Sequence, residues 1–383
     1  MIKEIFSLPF EKKVGQLFII GLPSDEIDAE AKELLEEISP GGICLFARNI
    51  KSLEQTRRLN DELRKKLPVE PIISIDQEGG LVDRLRRVLT PMPSARAIRQ
   101  NGDLAAARLL GKITGEVLRI LGLNMNFAPV MEILSEEREK LQNGLYSRSF
   151  GRSPGEVLGY AMVYLRGLQR EGIWGCLKHF PGLGASDIDS HEEMPIVALS
   201  HDELIAQDLA PYIELFLYRR DEEDRIKAVM VGHGGYPKID LVEETMGGKI
   251  LPASINKHIV NDLLREELGY ENLALTDDLE MGAITKHYTI EDAAKLALEA
   301  SQDMILICST SQSAISAYRS VLSAFKTKEL SQKSLEKSLR RIAKIKSVLR
   351  PPLEFDKNRL LGLSEEIARL NQKLNYSYGG QTS

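Results

Sequence analysis

Short apolar runs alternate with amphipathic stretches along almost the whole chain. The apolar runs, at 14–20, 41–46, 71–76, 123–129, 175–180, 227–233, 273–277 and 304–308, have the length of buried strands. Between them, 53–66, 103–121, 155–171, 201–217, 255–268 and 290–301 place apolar residues three and four apart, as in Leu104, Leu109, Leu110, Ile113 and Val117. That spacing predicts helices with one buried face. Eight strands with intervening helices in one series predict a parallel sheet, and at this length a closed (β/α)8 barrel is the economical form. A doubly wound open sheet is the rival, but no Gly-rich dinucleotide or Walker loop follows any strand.

Beyond the eighth strand, helical patterns at 312–326 and 331–348 end before Pro351 and Pro352, which stop a helix. The expected organisation is a catalytic barrel over 1–312, a C-terminal helical extension over 313–375 packed on it, and a flexible polar tail over 376–383. The charged runs 135–140 and 218–225 read as solvated helix ends or loops.

Composition narrows the class. The chain has 383 residues, 43% of them hydrophobic and 28% charged, enough to bury a large core. A net charge of −6 gives no reason to expect nucleic acid or an anionic membrane as partner. No stretch approaches the ~20 apolar residues that span a bilayer, and the N-terminus lacks a signal-peptide core. The three cysteines, Cys44, Cys176 and Cys308, sit in apolar strands without metal-site spacing and read as buried thiols. A soluble, cytoplasmic protein is the expectation, with a monomer favoured.

In a barrel of this kind, chemistry sits at the C-terminal ends of the strands. Polar residues interrupt the apolar runs there: Asp76 after the third strand, Lys178 and His179 after the fifth, His233 after the sixth, and Asp277 and Asp278 after the seventh. Carboxylates converging on one face are costly to desolvate unless they are paired or used. Asp277 is the candidate nucleophile, base or ligand, while Asp278 suits a helix cap. Asp189 precedes His191 by two residues, so its carboxylate can accept the imidazole N–H and fix the tautomer. Arg84, Arg148, Lys178 and His179 can grip hydroxyls or an anion. A metal shared by His179, His191 and His233 lacks the usual ligand spacing, so neither metal nor cofactor is expected.

At these residues the sequence resembles the bacterial NagZ-type β-N-acetylglucosaminidases (β-hexosaminidases) of glycoside hydrolase family 3. Ile75-Asp-Gln-Glu-Gly-Gly-Leu-Val-Asp-Arg84 is similar to a family signature, and Asn126-Phe-Ala-Pro-Val130 with Tyr146-Ser-Arg-Ser-Phe150 resembles two more. Lys178-His-Phe-Pro-Gly-Leu-Gly184 followed by Asp189-Ser-His191 resembles the acid/base run, and Leu275-Thr-Asp-Asp-Leu-Glu-Met281 the nucleophile run. The likeness covers about residues 10–310, in the family's order, and the family fold is again a (β/α)8 barrel.

The resemblance implies a retaining exo-enzyme that removes β-linked GlcNAc, from peptidoglycan fragments, by double displacement. Asp277 matches the nucleophile, His191 the acid/base residue and Asp189 its partner. Asp76, Arg84, Arg148, Lys178 and His179 match residues that hold the sugar. His233 is a further candidate for substrate binding from its strand-end position. Leu81 and Leu183 depart from the family's Arg and His at what reads as the rim, Glu132 stands where Asp is common, and 245–249 looks like an insertion. A glycoside phosphorylase on the same scaffold is the alternative, since a His acid/base repels phosphate less than a carboxylate does. A catalytically silent amino-sugar binder and a metal-dependent hydrolase are the others.

Overall fold

The structure, a computed structural model, describes residues 1–218, 224–239 and 250–379. Eight parallel strands close into a barrel: β1 (Phe18–Gly21), β2 (Gly42–Leu45), β3 (Ile72–Ile75), β4 (Met125–Asn126), β5 (Trp174–Phe180), β6 (Ala228–Val231), β7 (Leu273–Asp278) and β8 (Met304–Ile307). Each strand pairs with its sequence neighbours, and β1 closes on β8 with Phe18 opposite Ile305. Every residue of β1, β2, β3, β6 and β8 is buried, as expected of strands covered by helices.

The first strand begins four residues later than expected. Phe10–Gly15 is helical, with Val14 buried on its inner face, so Val14 to Leu17 lead into β1 instead of forming it. An apolar run of this length has no periodicity that separates a buried helix turn from a strand.

The amphipathic patterns become the outer ring. Leu104–Ile120 and Pro154–Arg170 are helices of 17 residues that pack on each other. Ser153 caps the second, with Pro154 in the first turn where its missing N–H costs nothing; such a cap contributes about 1 kcal/mol. The 201–217 pattern breaks into His201–Ala206 and Ala210–Leu217, because Asp208 turns inward to accept both Arg138 Nη1 at 2.8 Å and Nη2 at 3.0 Å. The 255–268 pattern forms a π-helix over His258–Glu267.

Helix Ser311–Thr327 takes the eighth place in the ring, against helices Ile290–Glu299 and Ala29–Ile38. The expected boundary at 312 therefore falls inside the barrel. Helix Gln332–Lys346 crosses the barrel's base, where buried Asp303 accepts Arg265 Nη2 at 2.6 Å, Ser338 Oγ at 3.0 Å and Arg341 Nη1 at 3.0 Å.

Past the two prolines the chain turns upward, a step the sequence pattern does not reveal. Arg119 Nε donates to Pro351 O at the base. Helix Lys357–Lys373 then runs antiparallel to helix 104–120, pairing Arg359 with Glu116 at its start and Lys373 with Asp103 at its end. Seventeen residues at ~1.5 Å each carry it about 25 Å, from base to mouth.

Of the residues expected as a flexible tail, the structure describes 376–379. Asn375 takes a left-handed turn, Tyr376 is half-buried against the core, and Arg86 donates to Tyr378 Oη at 2.5 Å. Residues 380–383, 245–249 and 219–223 of the charged run lie outside the described residues. Of that run, Asp224 is buried and accepts Arg166 Nε at 2.6 Å, so it is not a solvated end. Glu139, in the other charged run, is likewise clamped, between Arg99 and Arg152. The three cysteines are free and buried. Among the described residues no helix is long and apolar enough to cross a membrane.

Candidate active site

The mouth is built around one dense cluster of charges. After β3 the chain makes a tight hairpin, Gln77–Gly79 against Val82–Asp83. Gly79 and Gly80 turn it with φ of 91° and 60°, conformations that side chains resist. The hairpin is anchored beneath by Asn126, whose amide accepts Gln77 N–H at 2.9 Å and donates to Gln77 O at 2.9 Å.

This turn sends Glu78 inward. Arg148 grips it with two parallel bonds, Nε to Oε2 and Nη2 to Oε1, each 2.9 Å. Lys178 Nζ stands 2.6 Å from Glu78 Oε1 and donates to Asp76 Oδ1 at 2.6 Å. Burial alone would raise the Glu78 pKa, but Arg148 and Lys178 outweigh it and hold the carboxyl well below its ordinary range. Burial likewise works against the Lys178 charge, and Asp76 and Glu78 override it and keep the amine protonated. Arg84 Nη2 reaches Asp76 Oδ2 at 3.6 Å, and its guanidinium lies over the Phe46 ring.

His179 joins the cluster to the candidate nucleophile. Its backbone N–H and its Nδ1 both meet Glu132 Oε1 at 2.9 Å, so the carboxylate fixes Nδ1 as the donor. Nε2 then faces Arg148 Nη2 at 3.4 Å and Asp277 Oδ2 at 3.9 Å.

Asp277, the penultimate residue of β7, has its side chain 19% exposed. Its Oδ1 accepts the N–H of Asp278 at 2.8 Å. Desolvation works against its charge, but His179, Lys178 and that N–H together pull its pKa below the ordinary value. Its neighbour behaves oppositely: burial, then the charges of Glu280 and Asp277, push Asp278 up to about 7. Asp278 does not cap the following helix; it accepts the N–H groups of Glu280 and Cys308 and so holds the loop after β7.

His233 is placed behind Asp277 instead of on the open face. It is fully buried, which lowers its pKa and leaves it neutral. Nε2–H donates to Asp278 O at 2.9 Å, and Nδ1 accepts from Ser254 Oγ at 2.8 Å. With both ring nitrogens used, His233 fixes the backbone that presents the carboxylate.

Asp189 and His191 lie on the long loop after β5, apart from this cluster. Asp189 Oδ1 accepts both the N–H of His191 at 2.9 Å and its Nδ1 at 2.7 Å, leaving Nε2 free. Burial would raise the Asp189 pKa, and the two bonds from His191 lower it overall. The His191 side chain is 68% exposed. The loop is docked on the segment after β7: Gly282 N–H donates to His191 O at 3.2 Å, Ala283 N–H to Ser190 O at 3.3 Å, and Lys286 pairs with Glu193 at 2.9 Å. A Cβ at Gly282 would stand 2.5 Å from Glu192 O and 2.6 Å from His191 O, so only glycine permits this approach.

The structure thus gathers Asp76, Arg84, Arg148, Lys178, His179 and Asp277 into one cluster and sets Asp189–His191 on the loop beside it. Glu78 and Glu132 are members to which sequence reasoning gives no role, Glu132 being marked only as a departure from the family's Asp. Glu78 sits inside the strand-end run that singled out Asp76, and an acidic residue there was signal enough. Leu183 is not at the rim: it is buried with Leu134 and Leu145 beneath the loop. Leu81, by contrast, is 65% exposed at the hairpin's tip. Among the described residues, no three His, Cys, Asp or Glu side chains are placed to share a metal ion.

A model of the glycosyl hydrolase family 3 N-terminal domain matches residues 9–345. The chain is 31% identical to a β-hexosaminidase A of Pseudoalteromonas piscicida over 84% of its own length, but spans only 55% of that protein. It is 30% identical to a β-hexosaminidase of Psychromonas ingrahamii, covering 78% of this chain and 84% of the relative. Its fold superposes with a TM-score of 0.84 on a family 3 β-N-acetylglucosaminidase from Paenibacillus sp. FPU-7, at 31% identity, over 95% of this chain and 69% of the other.

Proposed function

The chain belongs to glycoside hydrolase family 3, and on that premise we propose that it is a retaining exo-β-N-acetylglucosaminidase acting by double displacement. The observation that carries this reading is the ionised Asp277 near the end of β7, with a His–Asp pair clamped on the loop beside it.

Asp277 attacks the anomeric carbon as the bond to the leaving oxygen breaks, giving a covalent glycosyl-enzyme. His191 delivers a proton from Nε2 to that oxygen, and Asp189 stabilises the ring while it carries the charge. In the second half, Nε2 takes a proton from water, whose oxygen replaces Asp277 at the same carbon. Two inversions retain the configuration. Most retaining enzymes use two carboxyl groups ~5–5.5 Å apart; here one carboxylate acts through an imidazole.

Asp76, Lys178 and Arg84 offer acceptors and donors in the same charge cluster as Asp277 and suit sugar hydroxyls. Lys178 has three donors and gives two to Asp76 and Glu78. Arg148, held by Glu78, positions His179 and completes the cluster. The relatives named β-hexosaminidase support an N-acetylamino sugar at this position. A GlcNAc-bearing peptidoglycan fragment in cell-wall recycling, in the cytoplasm, is the natural substrate we propose.

The test is hydrolysis of p-nitrophenyl β-N-acetylglucosaminide against the glucoside, with and without phosphate. Preference for the N-acetyl substrate, with free GlcNAc of β-configuration as first product, supports the reading. A sugar phosphate as product would make the enzyme a phosphorylase, and no turnover by folded protein would leave a binding protein.

A further inference from the structure

The hairpin that carries Glu78 has a second support besides Asn126. Two short strands are too few to hold a geometry alone, so whatever braces the hairpin decides where Asp76 and Arg84, the residues that flank it, stand. The brace is Thr90-Pro-Met-Pro93. Two prolines in four residues stiffen this segment and leave it only two backbone N–H groups, those of Thr90 and Met92. One goes each way. Thr90 N–H donates to Ser364 Oγ on helix 357–373 at 2.8 Å, and Met92 N–H donates to Asp83 Oδ2 in the hairpin at 2.7 Å. The carbonyls divide likewise: Pro91 O accepts from Asn371 Nδ2 at 2.9 Å, and Met92 O accepts from Gly80 N–H at 2.9 Å.

Ser364 and Asn371 are two helical turns apart and so share the face turned to this segment. On the hairpin side, Asp83 passes the support on. It is buried and also accepts Gln77 Nε2 at 2.7 Å, while Gln77 Oε1 accepts the N–H of Arg84 at 3.0 Å. The packing here is tight as well, since a Cβ at Gly79 would stand 2.3 Å from Pro93 O. An unbroken series of hydrogen bonds thus runs from the last helix to Gln77, which follows Asp76, and to the backbone of Arg84.

We propose that Ser364 and Asn371 are positioning residues of the active site: through Thr90–Pro93 they set the hairpin, and with it the grip of Asp76 and Arg84 on the sugar. The inference rests on the glycosidase reading above and extends it to a helix that contributes no group to the charge cluster. Asp277 is carried by β7 and His191 by the loop after β5, neither of them on this path. Loosening the brace therefore weakens binding of substrate and transition state alike, which raises KM and spares kcat.

The test measures hydrolysis of p-nitrophenyl β-N-acetylglucosaminide, and its competitive inhibition by free GlcNAc, in the full-length protein well below Tm. Ser364→Ala with Asn371→Ala is expected to raise KM and the GlcNAc Ki together, about threefold to tenfold, with kcat changed less than twofold. Ser364→Thr, which keeps the hydroxyl, retains the wild-type values. Arg359→Ala removes the anchor of the same helix at the base and leaves 90–93 untouched. It lowers Tm without moving KM or Ki, which separates positioning from stability. Ser364→Ala alone, at a half-buried helix position, carries the test if the double variant fails to fold. Unchanged KM and Ki in the Ser364 and Asn371 variants, or an equal rise in Arg359→Ala, would overturn the inference while leaving the glycosidase reading intact. If the folded wild type turns over no β-N-acetylglucosaminide, the glycosidase reading fails and this inference falls with it.

Discussion

The two halves of the proposed catalytic pair are held in contrasting ways. Asp277 stands on a barrel strand, inside a lattice of buried charges in which Asp76, Glu78, Arg148, Lys178 and His179 touch one another at 2.6–3.4 Å or feel one another's charge. His191 stands on a loop, two-thirds exposed, held by one carboxylate and a few backbone contacts to the segment after β7. The nucleophile needs a fixed charge at a fixed point, and preorganised neighbours supply it without reorganisation during reaction. The acid/base group must receive and return a proton and admit water, which a solvent-facing imidazole does. Rigidity and access are divided between two elements, and the Gly282 contact is where they meet.

The sharpest way to break this division is to remove the fixed charge. Asp277→Ala is expected to lower kcat on the order of 10⁴-fold or more, measured by steady-state release of p-nitrophenol, with Tm little changed. Glu78→Gln should instead strike the fold: unpairing a buried charge costs roughly 3–5 kcal/mol, read as a lower Tm in calorimetry together with lost activity. His191→Ala should leave Tm unaltered and cost about 10²–10⁴-fold in rate. That loss should shrink as the leaving group becomes more acidic, because a better leaving group needs less protonation.

Gly282→Ala probes the junction itself. It should lower kcat about tenfold to a hundredfold by pushing the His191 loop outward, with the glycosyl-enzyme step on activated substrates least affected. The smallest effect is expected from Asp278→Asn. A carboxyl raised to about 7 when folded opposes folding once the unfolded chain would ionise it. The penalty is absent below about pH 4, grows as pH rises toward 7 and stays constant above. Asn keeps the acceptor for Glu280 and Cys308, so the variant should gain a few degrees in Tm at pH 8, about 2–4 °C, and none at pH 4.

Much of the barrel is legible in the chain because its signals are periodic. The 104–120 and 154–170 helices show as apolar spacing, and the later strands as bounded apolar runs. Where two elements share an apolar run, as Phe10–Gly15 and β1 do, hydrophobicity marks burial but not conformation. The site was legible where the chemistry sits at strand ends, as with Asp76, Lys178, His179 and Asp277. Position at a strand end does not tell which way a side chain turns: His233 faces backward into Ser254 and the Asp278 carbonyl. The grouping of Leu81, Arg96, Tyr146 and Tyr378 left no trace at all, since these residues come together only when the last helix returns to the mouth.

That returning helix also bears on how the barrel comes apart. Strands β1 and β8, at opposite ends of the series, meet at a seam held by a short ladder. An eight-stave barrel can in principle open there and lose its halves as separate cooperative units. Here the chain that leaves β8 crosses the base and fastens itself along helix 104–120, deep in the first half, through Arg359–Glu116 and Lys373–Asp103. The second half is thereby tied to the first by its own continuation, so neither can melt while the other stays folded. Heat is expected to take both halves in a single transition.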